Sequence, residues 1–134
     1  MKDRFFIDSN VALYVLDKNE SNKKKIASSL IELLPFISPQ VVFECLNVAL
    51  KKQKLDQFRA LNFVNKLIAA SFIHPETEIV VKNALVIYSK YSLQAYDSKI
   101  IATALDAGCS VLYSEDMQNG LVIENQLKIV NPFV

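Results

Sequence analysis

Four acidic residues occupy positions where the surrounding sequence is apolar or has just completed a strand: Asp8, Glu44, Asp97 and Asp116. On a helical wheel of the predicted helix 95–108, Asp97 lies near the middle of the stripe that should face the core, and Ser98 and Thr103 fall toward the other side. Apolar residues fill most of the predicted helix 40–52, so Glu44 belongs to a narrow polar strip, together with Gln40, Asn47 and Lys51. Both positions also have an ordinary explanation, because an acid in the first turn of a helix favours the helix dipole and a polar strip can face water.

The other two acids follow predicted strands. Asp8 ends the apolar strand 4–8, and Asp116 comes two residues after Ser114, which ends the strand 110–114. If both strands are central and parallel, the two carboxylates lie at the same edge of the sheet, where ligands of such sheets usually bind. Each acid is also a common N-cap or turn residue, so neither position alone indicates a function.

One chemistry uses carboxylates from all four positions, namely metal-dependent hydrolysis of phosphodiesters. Mg²⁺ and Mn²⁺ prefer hard oxygen ligands, commonly a few carboxylates completed by water and substrate phosphates. A bound metal makes hydroxide available near neutral pH and stabilises charge on the phosphate oxygens. His74 is the only histidine, so the sequence offers neither a Cys/His zinc set nor a Ser/His/Asp triad. The two glycines of the chain exclude a glycine-rich phosphate loop.

Short apolar strands alternate with helices along the chain. Further strands are predicted at 72–74, 121–124 and 127–130, a short strand or turn at 35–38, and helices at 10–16, 22–34, 40–52, 55–71, 77–90 and 95–108. Ser38 and Pro39 have the types expected at an N-cap and a first helical position, and Gly108 is a helix stop. The inner face of helix 55–71 is predicted to consist of Phe58, Leu61, Val64, Leu67 and Ile68. This alternation predicts a mostly parallel sheet covered by helices on both faces.

Length and composition favour one globular domain. The chain has 134 residues, of which 51% are hydrophobic and 22% charged. The longest uninterrupted apolar run, 11–16, is far too short to span a membrane, and the N-terminus lacks the apolar core of a secretion signal. Cys45 and Cys109 are expected to be small buried hydrophobic residues in a reducing cytosol. We therefore expect a cytoplasmic protein without a membrane partner.

Four segments of the sequence together resemble the PIN-domain ribonucleases, and in particular VapC-type toxins of toxin–antitoxin systems. They are FIDSN at 6–10, Glu44 within its apolar helix, YDSKIIATAL at 96–105 and LYSEDMQNG at 112–120. The resemblance covers nearly the whole chain and implies a single PIN-like domain over residues 1–134. It implies an α/β/α sandwich with a central mostly parallel sheet and an endoribonuclease dependent on Mg²⁺ or Mn²⁺. A cognate small antitoxin and a homodimer are also implied.

The resemblance assigns the catalytic and metal-binding acids of this family to Asp8, Glu44, Asp97 and Asp116. The hydroxyl that precedes the last acid by two residues corresponds to Ser114, and Tyr96 takes the place of a bulky aromatic residue before the third acid. Asn10 and Asn119 are implied as polar partners of the acids. Glu115 is either a further acid at the rim or an exposed residue.

The net charge of +1 does not by itself indicate a nucleic-acid partner. However, without the four candidate acids, 15 basic and 10 acidic residues would leave a net +5, which suits a surface that meets RNA phosphates. The lysines at 23–25 and 51–54 are candidate basic surfaces or simply solvated helix ends. Helices 40–52 and 55–71 offer more apolar surface than a small sheet needs, which indicates association with another chain.

Two other classes of protein remain open at this point. A phosphate-transferring α/β domain would have a pair of acids near the end of the first strand, as in receivers, or a second aspartate two residues after the first, as in haloacid-dehalogenase-like phosphatases. Here Asp8 stands alone and Asn10 occupies the second place. The remaining alternative is a PIN-like fold that binds RNA or protein without catalysis.

Overall fold

Six strands and six α-helices make up the computed structural model, which describes residues 3–134. The strands are β1 (Phe5–Ile7), β2 (Phe36–Ile37), β3 (Phe72–Ile73), β4 (Val111–Tyr113), β5 (Val122–Ile123) and β6 (Leu127–Val130). The helices are α1 (Ser9–Ala12), α2 (Asn22–Glu32), α3 (Pro39–Lys51), α4 (Gln57–Ala69), α5 (Glu78–Tyr91) and α6 (Ala95–Asp106), and a 3₁₀ turn, Leu13–Leu16, continues α1. Each predicted strand and helix is present, with ends that differ from the prediction by a few residues.

The strands form one sheet in the order β3-β2-β1-β4-β6-β5, parallel except for β5, which runs antiparallel to β6. The chain moves from β1 to β2 to β3 in one direction across the sheet, and then returns past β1 to β4. Because crossovers between parallel strands are right-handed, the reversal places α1–α4 on one face and α5 and α6 on the other. The predicted α/β/α sandwich with a mostly parallel sheet is confirmed.

The strand order reverses between β1 and β4, which lie side by side. Ile7 pairs with Tyr113 in the parallel register, and the backbone N–H of Asp8 donates to the carbonyl of Tyr113 over 3.0 Å. The residues that follow these two strands therefore meet just beyond the carboxyl edge of the sheet. A reversal of this kind opens a crevice between the loops, which is where open α/β sheets bind their ligands.

Local sequence signals set the helix ends that matter for this edge. Ser38 accepts a hydrogen bond from the backbone N–H of Val41, and Pro39 is the first residue of α3, as predicted. The chain leaves α6 through Gly108, whose φ of +76° lies in the left-handed region that glycine adopts without strain. No side chain caps the start of α6 at Gln94, so Asp97 in its first turn is the acid nearest to the exposed helix N–H groups.

The predicted inner face of α4 is partly wrong. The buried residues of α4 are Ala60, Phe63, Val64 and Leu67, whereas Phe58 and Leu61 are exposed. Both sets recur at helical spacing, because this helix carries apolar residues around much of its circumference. The set that contains Ala60 faces the core, since a small residue allows closer helix packing.

The polar side of α6 is also different from the prediction, which placed Ser98 and Thr103 away from the core. Both are fully buried, because α6 is covered on two sides. Ile100 belongs to the main core beside the sheet, and Ala102 packs with Val80 of α5. The buried hydroxyls are satisfied within the helix, where Ser98 donates to the carbonyl of Gln94 and Thr103 to that of Lys99.

Central strand residues form the main core, with Phe6, Ile7, Leu112 and Ile129 completely buried. Cys45 and Cys109 are both buried and free, as expected. Within residues 3–134, no helix combines the length and the apolar character needed to cross a membrane.

Candidate functional site

Asp8 is a buried carboxylate at the end of β1. Its side chain is 5% exposed, and Oδ1 accepts a hydrogen bond of 2.8 Å from the backbone N–H of Ser9, so the residue begins α1 as an N-cap. Burial raises the pKa of Asp8 to about 7, with further increases from the charges of Glu44 and Asp97. The hydrogen bonds from Ser9 and Ser114 oppose this increase. The site therefore holds a carboxyl group that changes its charge near neutral pH.

Two polar side chains fix the other oxygen of Asp8. Oδ2 accepts hydrogen bonds from the Ser114 hydroxyl over 3.1 Å and from Nδ2 of Asn10 over 3.3 Å. Asn10 also accepts a hydrogen bond of 3.0 Å from the backbone N–H of Glu115, and Ser114 accepts one of 3.4 Å from Met117. Asn10 and Ser114 thus join the start of α1 to the loop after β4.

Glu44 points from α3 towards the same edge of the sheet. Its Oε1 accepts a hydrogen bond of 3.1 Å from the hydroxyl of Ser9, and its Oε2 accepts one of 3.3 Å from Nε2 of Gln40. Nothing in the sequence predicts the contact between Ser9 and this acid, although Ser9 directly follows Asp8. Gln40 was recognisable only as a member of the same polar strip, one helical turn before Glu44.

Asp97 and Asp116 complete the acidic cluster, a name used below for Asp8, Glu44, Asp97 and Asp116. Burial raises the pKa of Asp97 first, and the nearby charges of Glu44 and Asp116 raise it further. Asp116 itself is exposed. Because Asp8 and Asp97 each respond to the charge of Glu44, and Asp97 responds to that of Asp116, the four predicted acids share one electrostatic environment.

The carboxylates are neighbours without being tightly grouped. Among the described residues, no three carboxylate, histidine or cysteine side chains lie close enough to one another to hold a metal ion as they stand. Like charges 4 Å apart repel by about 4 kcal/mol at an effective dielectric near 20, which favours their separation. The hydrogen bonds to Ser9 and Gln40 hold Glu44 on its own side of the cluster.

Glu115 is neither a fifth member of the cluster nor a free acid. Its carboxylate accepts hydrogen bonds of 2.6 Å from Nζ of Lys23 and of 2.6 Å from the hydroxyl of Tyr14. Burial alone would raise the pKa of Glu115, but these two hydrogen bonds outweigh it and lower the pKa below the ordinary value. Lys23 also lies over the rings of Tyr14 and Phe133. Lys23, one of the three lysines considered as a basic surface, therefore joins α2 to the loop after β4.

Asn119 is the predicted site residue that the structure does not bring to the acids. Its side chain is exposed, and its Oδ1 accepts a hydrogen bond of 2.8 Å from the backbone N–H of Asn131. This contact fixes the segment after β6 to the turn before β5. Tyr96, which precedes Asp97, is strongly exposed beside the cluster.

Comparisons with known proteins agree with this architecture. The family model described as PIN domain matches residues 5–118. Among solved structures, the chain is similar to DNA-bound VapBC from Salmonella typhimurium, with a TM-score of 0.72, 19% identity, and coverage of 96% of this chain and 97% of that one. A toxin–antitoxin complex from Klebsiella pneumoniae has a TM-score of 0.68 and 18% identity, and covers 96% of this chain and 97% of the other.

A third similar structure is VapC20 from Mycobacterium tuberculosis, described as a toxin that cleaves the sarcin–ricin loop. Its TM-score is 0.66 at 13% identity, with 84% of this chain and 89% of that chain covered. At these identities, the likeness concerns the fold. Among curated proteins, no significant match to the sequence was found.

Proposed function

Because this chain belongs to the PIN-domain family, we propose that it is a metal-dependent endoribonuclease that hydrolyses RNA phosphodiester bonds as the toxin of a toxin–antitoxin pair. The observation that carries the proposal is the acidic cluster, which gathers carboxylates that follow β1 and β4 with others from α3 and α6. Gathering four acids costs electrostatic free energy. A protein that only binds RNA or another protein gains nothing from that cost.

The contacts of Asn10 weigh against a phosphatase of the haloacid-dehalogenase type. Such an enzyme would have a second acid at position 10, but here an amide donates a hydrogen bond to Oδ2 of Asp8. A receiver domain would need a second acid near the end of β1, and Ser9 instead donates from its backbone and hydroxyl to Asp8 and Glu44. The residues beside Asp8 thus support one well-oriented carboxylate.

The chemistry of the donor set fits Mg²⁺ or Mn²⁺. All four cluster side chains present hard oxygen donors, and water and substrate phosphate oxygens commonly complete the coordination of these ions. Burial raises the pKa of Asp8 and Asp97, the neighbouring acidic charges raise it further, and a cation would offset that repulsion. Asp8, Asp97 and Asp116 would be the main ligands, and Glu44 would hold an ion or its water. Since the carboxylates are not grouped at binding distance, we infer that side-chain movement accompanies binding.

Each residue of the site then has a definite task in hydrolysis. When bound, the ion supplies hydroxide near neutral pH and offsets charge on the phosphate oxygens. Ser114 and Asn10 orient Oδ2 of Asp8 and favour its charged form. Gln40 and Ser9 orient the two oxygens of Glu44. The exposed position of Asp116 leaves the cluster open to a large substrate on that side.

We propose RNA as the substrate because hydrolysis of a long polymer needs an open site, and because the residues outside the cluster carry a net +5. VapC20 is described as cleaving a structured RNA loop, and a structured RNA is the first substrate to test. An RNA substrate and two free cysteines are consistent with a cytoplasmic protein.

Partner chains are part of the proposal. The similar solved structures include toxin–antitoxin complexes, and we propose that a small antitoxin blocks the acidic cluster of this chain. We also propose a homodimer in which a second copy covers the exposed apolar side chains of α5, among them Ile79, Leu85 and Val86. Large apolar side chains grouped on one helix face are typical of an association surface.

The activity is tested with purified protein that is free of any antitoxin. Cleavage of structured RNA should require Mg²⁺ or Mn²⁺, stop in chelator and return when the metal is restored. Glu44→Gln should lose most of the activity, whereas Glu78→Gln, at an exposed carboxylate on α5, should retain it. Cleavage that persists in chelator would remove the proposed mechanism.

The dimer is tested separately by light scattering at micromolar concentration. Leu85→Glu should convert the dimer to a monomer, because it places a charge within an apolar interface. Leu34→Glu is the matched control, since Leu34 is an exposed leucine away from α5. A monomeric parent protein, or a Leu85→Glu variant that remains dimeric, would contradict the proposed interface.

A further inference from the structure

Two exposed aromatic residues stand directly beside the acidic cluster. Phe43 precedes Glu44 on α3, and Tyr96 precedes Asp97 on α6, and their side chains are 67% and 68% exposed. Successive residues of a helix point about 100° apart, so each ring is displaced to the side of its neighbouring acid. Exposed aromatic rings of this size are costly in water unless something covers them.

Both rings line one groove between α3 and α6, called here the α3–α6 groove. It has a volume of about 710 Å³, and its lining includes Glu44 itself, so it is continuous with the acidic cluster. Gln40 spans the two helices at this point, because its Nε2 lies 3.3 Å from Oε2 of Glu44 and 3.5 Å from the carbonyl of Tyr96. A polymer held at the cluster could therefore continue directly into the groove.

The groove has little net charge to offer a phosphate. Lys99, which lies over the ring of Tyr96, is 3.6 Å from Glu76. Glu76 also accepts a hydrogen bond of 3.1 Å from the backbone N–H of Gln40. Apart from Glu44, which belongs to the acidic cluster, the remaining polar side chains that line the groove are the amides of Gln40 and Asn47. Exposed aromatic faces beside a neutralised ion pair are suited to nucleobases rather than to the phosphate backbone.

We propose that the α3–α6 groove binds unstacked bases of single-stranded RNA next to the bond that is cleaved, with Phe43 and Tyr96 as stacking surfaces. This inference rests on the proposed ribonuclease function and extends it, because it names the part of the substrate that this side of the site recognises. Stacking on aromatic side chains tolerates every base, since each has a π-face.

The test measures RNA binding in chelator, so that affinity is read without cleavage. The probe is a short single-stranded RNA that contains 2-aminopurine, and a second RNA has the same phosphates but abasic sites. Phe43→Ala and Tyr96→Ala should each weaken binding of the first RNA by roughly tenfold, the scale of one lost stacking contact. Phe58→Ala is the matched control, because Phe58 is 80% exposed on α4 and lies outside the groove. It should leave the affinity unchanged.

Further comparisons exclude a general loss of structure. Phe43→Tyr and Tyr96→Phe should restore affinity, and quenching of 2-aminopurine should disappear only in the alanine variants. The abasic RNA should bind the parent protein about as weakly as the alanine variants bind the complete RNA, and those variants should no longer discriminate between the two probes.

The outcomes separate this inference from the proposed function. If the parent protein binds neither RNA in chelator, this inference fails, while the ribonuclease proposal is decided separately by cleavage with Mg²⁺ restored. If it binds both RNAs equally, or binds RNA independently of Phe43 and Tyr96, only the groove assignment is overturned. The groove assignment is also wrong if the alanine variants change the oligomeric state in light scattering while RNA affinity stays the same, because a second copy then covers the groove.

Discussion

The hydroxyl of Ser114 donates a hydrogen bond of 3.1 Å to Oδ2 of Asp8, although 106 positions separate the two residues in the chain. The contact exists because β1 and β4 are adjacent parallel strands that end at the same edge of the sheet. A hydroxyl at this place favours the charged form of a carboxyl group that burial would otherwise neutralise. The pairing of the strands thus places beside Asp8 a hydroxyl that partly opposes the effect of burial on its pKa.

The first prediction concerns this hydrogen bond. Ser114→Ala should raise the pKa of Asp8 further and move the acid limb of the pH profile of kcat/KM to higher pH. We expect a shift of less than about one pH unit, since a hydrogen bond of this kind contributes about 1 kcal/mol. Ser114→Thr should restore the original profile. Ser110→Ala is the control at the opposite end of the same strand, and an equal shift there would contradict this role of Ser114.

The second prediction concerns stability in chelator. Asp8 keeps its proton up to about pH 7 in the folded protein, whereas its ordinary pKa is 3.8. Between these values the folded state binds more protons than the unfolded state, so the free energy of unfolding should fall as the pH rises through this window. The fall should be at most about 1.4 kcal/mol per pH unit.

Chemical denaturation across this pH range measures the effect. Asp8→Asn should remove most of the slope, because asparagine does not titrate but can still cap α1. Asp3→Asn, at an exposed acid, should keep the slope of the parent protein. Identical slopes for the parent protein and Asp8→Asn would show that Asp8 ionises normally.

Several features of the site followed from sequence, because they depend on short-range patterns. The strand that ends at Asp8 and the strand that ends before Ser114 were recognisable as apolar segments, and parallel pairing then predicts that they meet. Ser38 and Pro39 are residue types that favour an N-cap and a first helical position, so the start of α3 is likewise predictable from sequence. Such features require no knowledge of which helix packs against which.

Other features depend on packing between distant elements, and these were missed or wrong. Ser98 is buried because α5 covers the second side of α6, which the wheel of a single helix does not show. Phe58 is exposed because α4 has two apolar faces and the core selects only one. The hydrogen bond from Ser9 to Glu44 joins residues 35 positions apart and depends on how α1 lies against α3. Sequence alone supplies no distance for any of these pairs.

The third prediction separates a structural lysine from one that contacts RNA. Lys23→Ala should lower the melting temperature at neutral pH, because it leaves Glu115 without its charged partner. The lowered pKa of Glu115 means that this stabilisation is present above its ordinary pKa of 4.5 and is lost as the pH falls below it. The difference in melting temperature between the parent protein and Lys23→Ala should therefore shrink at about pH 3.

Lys25→Ala provides the comparison for Lys23→Ala, since Lys25 is exposed on the same helix. Its melting temperature should match that of the parent protein at both pH values. The salt dependence of RNA binding should be the same for Lys23→Ala and the parent protein, because Lys23 neutralises Glu115 rather than a phosphate. A reduced salt dependence in Lys23→Ala would instead place this lysine on the RNA.

The last prediction concerns Asp97, whose position in the first turn of α6 allows two roles. As a member of the acidic cluster, Asp97 is repelled by the other carboxylates. Burial raises its pKa most, and the charges of Glu44 and Asp116 raise it further. Asp97→Asn nearly keeps the shape and removes the charge. It should abolish cleavage but leave the protein in chelator as stable or more stable, by about 1 kcal/mol, a typical scale for single substitutions.

Added Mg²⁺ should raise the melting temperature of the parent protein more than that of Asp97→Asn, because a ligand that binds only the folded state stabilises it by mass action. If Asp97 served only to start the helix, its loss would cost the favourable interaction with the dipole and lower the stability in chelator. Paired melting curves with and without Mg²⁺ separate the two roles, and an active but clearly less stable Asp97→Asn protein would remove Asp97 from the site.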